Sequence, residues 1–254
     1  MPRMRVHTSL TWLLAAALSS ALVGCSSGDG EGSRVIGTDG GSGDSSSKED
    51  ASAAAEAEDF VVTSGFTTGE DSIGTRYTSA GARLTNPNRD LAAYDVQVLF
   101  NLVGSNGDVL DTTSETVYYV APGETVPVAP LQIGFEAPEV PAELQVQVVG
   151  EFVKDEGPRG AFGGEGAILD FVGGKINKGE YGNELTAQVK NLTEVVVELP
   201  EWDCIYLQGD KIVGGSSSTI TDPIPPGTTV QFGESLSPDS LMAPTVECRV
   251  VADL

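Results

Sequence analysis

The chain has 254 residues, of which 37 are acidic, 14 basic, three cysteine and one histidine, for a formal charge of −23. A surface this negative repels phosphate backbones and anionic headgroups, so nucleic acid is excluded as a partner. The one histidine is His7, close to the N-terminus, so the rest of the chain has no imidazole to serve as general base, nucleophile activator or zinc ligand.

Arg3 and Arg5 precede an apolar run from about Leu10 to Val23, shorter than the roughly 20 residues that span a bilayer. A basic flank followed by a short apolar run has the form of an export signal. The run ends Leu22, Val23, Gly24, Cys25, which resembles the bacterial lipobox. That resemblance implies a signal peptide over 1–24, with diacylglycerol attached to the sulfur of Cys25, which becomes the first mature residue. The implied partner is then the cell membrane, reached through the lipid, with the protein facing the extracytoplasmic side. Ordinary secretion with Cys25 a bystander, or an uncleaved anchor, are the alternatives. The signal takes Arg3 and Arg5 and no acidic residue with it, which leaves the mature chain near −25. Two acyl chains suffice for stable anchoring where one does not.

From Cys25 to Asp59 the sequence is mostly Ser, Gly, Ala, Asp and Glu, with Val35 and Ile36 its only sizeable apolar residues. That is too little apolar surface to offset the entropy of ordering, so 25–59 is predicted to be a disordered acidic linker. A flexible coil of this length has an end-to-end distance of about 30 Å.

Beyond Phe60 the apolar residues recur with period two, the mark of strands. In "DVQVLFNLV", Val96, Val98, Phe100 and Leu102 alternate with Gln97, Leu99, Asn101 and Val103. "ELQVQVV" places Leu144, Val146 and Val148 on one face, and "ELTAQVK" does the same with Leu185, Ala187 and Val189. Turn residues fall between such runs, as "SNGD" at 105–108, "APGE" at 121–124 and "PPGT" at 225–228. No amphipathic helix of ten residues is apparent, and the expected class is all-β.

The pattern also repeats. Asn86 matches Asn191, Gly107-Asp108 matches Gly209-Asp210, Pro122-Gly123 matches Pro226-Gly227, and "QVQVV" matches "ECRVV", at an offset of about 104 residues. Two copies of one domain follow, 60–155 and 165–254, with a joint at 156–164, each of the size of an immunoglobulin-like antiparallel β-sandwich. Phe100-Asn101-Leu102, then Gly107, Val109-Leu110 and Pro122-Gly123, resemble the FxLYD-type domain of bacterial, here Gram-positive, envelope lipoproteins. Val103-Gly104 stands where that pattern has Tyr-Asp, and "CIYLQGDKIVGG" is a looser second copy. The resemblance implies the fold and no functional residues.

With Cys25 lipidated, Cys204 and Cys248 remain, an even number in an oxidising compartment, and are predicted to pair. A buried pair of free thiols is the alternative. Val246, Cys248 and Val250 share one strand face, and Trp202, Cys204 and Tyr206 another, so the bridge should lie inward beside Trp202. Trp202 as an exposed ligand platform is the other reading.

No catalytic or cofactor-binding residues are recognised. "GAFGGEG" lacks the dinucleotide spacing and "FVGGKI" fails the phosphate-loop pattern at Leu169 and Ile176. Glu70-Asp71, Asp108 with Asp111, Asp155-Glu156 and Asp222 offer oxygen ligands, but without the order of a calcium loop they read as solvated turn carboxylates. No metal or cofactor is expected. The expectation is a non-enzymatic envelope lipoprotein that binds another envelope protein or a wall ligand. The alternatives are an accessory subunit of a transport or signalling complex and, less favoured, a hydrolase using carboxylates alone.

Overall fold

A computed structural model describes residues 57–70, 76–131, 140–157, 168–179, 182–237, 241, 243 and 245–252. The expected signal peptide over 1–24, Cys25, nearly all of the expected linker and most of the expected 156–164 joint lie outside the described residues.

Six strands form the first half: β1 (Val61–Glu70), β2 (Arg76–Thr85), β3 (Leu91–Val103), β4 (Val109–Val120), β5 (Thr125–Val128) and β6 (Glu143–Lys154). Six more form the second: β7 (Leu169–Lys178), β8 (Asn183–Asn191), β9 (Glu201–Gln208), β10 (Lys211–Thr219), β11 (Thr229–Leu236) and β12 (Thr245–Val251). They make four antiparallel three-stranded sheets, ordered β1-β2-β5, β4-β3-β6, β11-β8-β7 and β10-β9-β12. The second six strands repeat the pairing of the first six, so the described residues are all-β, in two tandem immunoglobulin-like sandwiches.

Each alternating run places its apolar residues inward. Val96, Val98, Phe100 and Leu102 are buried, and all but Leu102 join Ala82, Leu84, Val126 and Val128 in the first core. Leu185, Ala187 and Val189 meet Trp202, Cys204, Tyr206 and Phe232 in the second. The turn glycines Gly107, Gly123, Gly209 and Gly227 all have positive φ, the conformation that the hairpin and tight-turn sequences demand.

The matched asparagines hold the same corner in both copies. Asn86 is fully buried and donates its backbone N–H to Glu124 O at 2.9 Å. Its Nδ2 donates to Leu91 O at 2.7 Å, and its Oδ1 accepts from Asn88 N at 3.0 Å. Asn191 donates its N–H to Thr228 O at 2.9 Å and Nδ2 to Val195 O at 2.8 Å, and Oδ1 accepts from Thr193 N at 2.8 Å. A buried amide with all its groups satisfied ties three chain segments where an apolar residue would leave their carbonyls and amides orphaned.

The two sandwiches pack face to face as part of one compact unit, through sheet β1-β2-β5 of the first and sheet β10-β9-β12 of the second. Strand β9 is therefore covered on both sides. Trp202, Cys204 and Tyr206 enter the second core, while Ile205 and Leu207 turn the other way and join Ile212 in a separate buried cluster against the first sandwich. Backbone approaches backbone here. A Cβ on Gly65 would clash with the carbonyl oxygen of Ile212, and one on Gly81 would stand 2.7 Å from Gly214 O.

Unlike faces meet at this junction, a head-to-tail contact between the two copies of the domain. The free outer face of β8, equivalent to the junction face of β2, carries Glu184, Gln188 and Lys190, all exposed.

Candidate functional site

Cys204 and Cys248 are directly opposite one another on β9 and β12, with sulfurs 1.93 Å apart and Cα atoms 4.1 Å apart, at disulfide distance. Trp202 lies beside them, 2% exposed and 5.4 Å from the Phe232 ring, which makes it core rather than an exposed platform. In the first sandwich the equivalent cross-strand pair is Phe100 and Val146, two apolar side chains. Of the other acidic positions weighed in the sequence, Asp155 accepts hydrogen bonds from Tyr119 at 3.0 Å and Gly157 N at 2.9 Å, and Asp108 from Asn106 at 2.7 Å. Among the described residues no group of three His, Cys, Asp or Glu side chains is placed to hold a metal ion.

The most unusual electrostatics lie at the junction, in residues the sequence reading did not single out. Asp203 is on the face of β9 that meets the first sandwich, and its Oδ1 accepts the backbone N–H of Ala129 at 3.3 Å. Burial, then the negative charge of Glu115, push its carboxyl up to about 7. Glu115, reaching across from β4, is itself raised, chiefly by burial, although hydrogen bonds from Thr116, Leu131 and Ser217 favour its charged form. Arg249 stands opposite Asp203 on β12 and donates to Tyr119 O at 2.8 Å. Burial lowers its affinity for its proton, and the negative charges of Glu124 and Asp203 offset that only in part.

These side chains border a cleft of about 320 Å³ between the sandwiches, whose wall also includes Tyr118, Leu131 and Glu201. Clefts between domains are a common location for ligands. A second opening, of about 580 Å³, lies along β11 of the second sandwich, with Trp202, Phe232 and Glu234 among its lining. Glu234 points to the core side of β11, where one oxygen has no hydrogen-bond partner, and burial raises its carboxyl.

The signal for the junction was present in the strand "WDCIYLQ". A strand with one face in water shows polar residues at alternate positions, whereas Ile205 and Leu207 on the non-cysteine face of β9 mark a strand buried on both sides. An acid in such a strand is necessarily at an interface. Charge and mutual placement are therefore what the site offers: a mixed cluster of three carboxylates, one guanidinium and a phenol, suited to holding a polar or cationic group.

No protein-family model matches the chain, and no curated protein sequence matches it either.

Proposed function

We propose that the protein is a lipid-anchored, extracytoplasmic lipoprotein that binds a partner in the cell envelope and catalyses no reaction, held to the membrane through Cys25. The observation that carries this reading is the cystine geometry at Cys204 and Cys248. A cross-strand cysteine pair, with Cys204 buried and Cys248 partly buried against the same core, suits a compartment outside the reducing cytosol, in keeping with the lipobox-like Leu22-Val23-Gly24-Cys25. The close junction adds mechanical sense to it, since two sandwiches locked together present a rigid body rather than two beads on a string.

Mass spectrometry of the native protein tests the reading. The expected N-terminal fragment begins at Cys25 and bears a diacylglyceryl group, and Cys25→Ala releases the protein from the membrane fraction. A mature chain that begins elsewhere, or that has no acyl group at residue 25, overturns it. Reduction that leaves the count of free thiols unchanged removes its supporting observation.

A further inference from the structure

We infer that the loop between β8 and β9 is a preformed docking surface for a protein partner whose apolar groove is rimmed by lysine or arginine. In the first sandwich the equivalent connection is short and polar, Pro87-Asn88-Arg89-Asp90. In the second it is longer and reads Leu192-Thr193-Glu194-Val195-Val196-Val197-Glu198-Leu199-Pro200. Leu192 is 50% exposed, Val195 52%, Val196 49% and Leu199 62%. Four large apolar side chains on one short loop expose on the order of a few hundred Å², the scale of the largest patch on an ordinary monomer, which is often functional.

The loop is held and cannot fold these residues away. Asn191 takes the Val195 carbonyl at 2.8 Å. Val197 and Ile224 exchange backbone hydrogen bonds of 3.1 and 2.8 Å, and Ile220 N donates to Pro200 O at 2.8 Å. Val197 and Pro200 point inward as the buried pegs between the exposed residues. Leu199 sits at φ 50°, a left-handed conformation that a leucine adopts only under constraint. A surface rigid before binding loses little entropy on binding, which is how small apolar patches reach useful affinity.

Charge selects the occupant. Glu194, Glu198 and Glu201 are exposed among and beside the apolar residues, on a chain of formal charge −23. A second copy presents the same sign and is repelled, as are anionic lipids. The loop also has no Trp, Tyr, Phe, Lys or Arg, the residues that settle at a bilayer interface. An apolar protein groove with a basic rim matches both features.

The inference rests on the binding reading above but not on the anchor. The test places a photoreactive p-benzoyl-phenylalanine at position 196 in the full chain in its native cells, with position 147 on the outer face of β6 as control. The expected result is one discrete polypeptide adduct from position 196 and none from 147, with the yield reduced roughly tenfold or more by Glu194→Lys with Glu198→Lys, since like charges across an interface cost several kcal/mol. Melting temperature and membrane fractionation of the same variants show that fold and anchoring are intact, which separates failure of the docking surface from failure of the anchor. An adduct to another copy, to the chain's own N-terminal segment or to lipid alone overturns the inference. So does an adduct indifferent to charge reversal, or the absence of any adduct.

Discussion

Ser79 and Gly215 exchange hydrogen bonds across the junction of the two sandwiches: the serine Oγ donates to Gly215 O at 2.9 Å and accepts from Gly215 N at 3.0 Å. Ser79 is buried, so one hydroxyl satisfies both backbone polar groups of Gly215, which the approach of β2 cuts off from water. Ser79→Ala leaves that donor and acceptor unpaired and is expected to lower stability by about 1–3 kcal/mol. Chemical denaturation of the variant against the parent measures it. Ser79→Ala with unchanged stability would mean that the junction opens readily.

The glycines of the junction make a separate demand. Gly65→Val places a branched side chain against the Ile212 carbonyl, which cannot yield without moving β10. The expected outcome is two sandwiches that remain folded but part from one another, seen as a larger radius of gyration in solution scattering and faster amide exchange in β2 and β9. The same substitution at Gly107, which has nothing within 4 Å, leaves the junction closed and strains only its own turn.

The junction carboxylates make stability depend on pH. An Asp203 carboxyl raised to about 7 from 3.8 holds its proton more tightly in the folded state. Its contribution is full below about pH 4 and is lost as pH rises through about 7. The raised Glu115 and Glu234 act with the same sign. Melting temperature is thus expected to fall from pH 4 to pH 7, and Asp203→Asn to flatten the upper part of that slope while raising stability at pH 8. A variant with the slope of the parent would show that Asp203 ionises freely in the fold.

The cystine closes a loop with a sequence separation of 44, for which chain entropy gives about 4 kcal/mol. Cys204→Ser with Cys248→Ser is expected to destabilise the second sandwich by that order. Sheet β10-β9-β12 also forms half of the junction, so exchange protection should fall at Ile205 and Ser79 as well as in the second core. The first core, around Phe100, should keep its protection. Mass-resolved hydrogen exchange by peptide distinguishes the two.

Leu199 offers a sign reversal. At φ 50° a glycine is unstrained, and removal of the side chain relieves about 1–2 kcal/mol of left-handed strain while it deletes exposed apolar surface. Leu199→Gly is expected to be neutral or stabilising, unlike Asn191→Ala at the end of β8 beside the same loop, which strands the Val195 and Ile224 carbonyls. Thermal melts of the two variants read the contrast directly.

How much of this was legible before the structure differs from element to element. The all-β class, the inward faces of Val96 to Leu102 and of Leu185 to Val189, the turn glycines and the paired Asn86 and Asn191 follow from the sequence alone. They are local rules: a strand has period two, a tight turn needs positive φ, and a repeat carries its own pattern. The direction of Trp202 and Cys204 into the core was legible for the same reason, as alternation along β9 assigns every second residue to one side.

Tertiary structure alone decided what lies on the other side. That Ile205 meets Gly81, that Asp203 lies beside Glu115 from a strand more than eighty residues earlier, and that Ser79 satisfies Gly215 depend on which sheet of one copy meets which sheet of the other. Periodicity within a strand assigns residues to faces and says nothing of what a face will touch. Small residues and a lone acid acquire their meaning only when two backbones come close enough to exclude a side chain and water together.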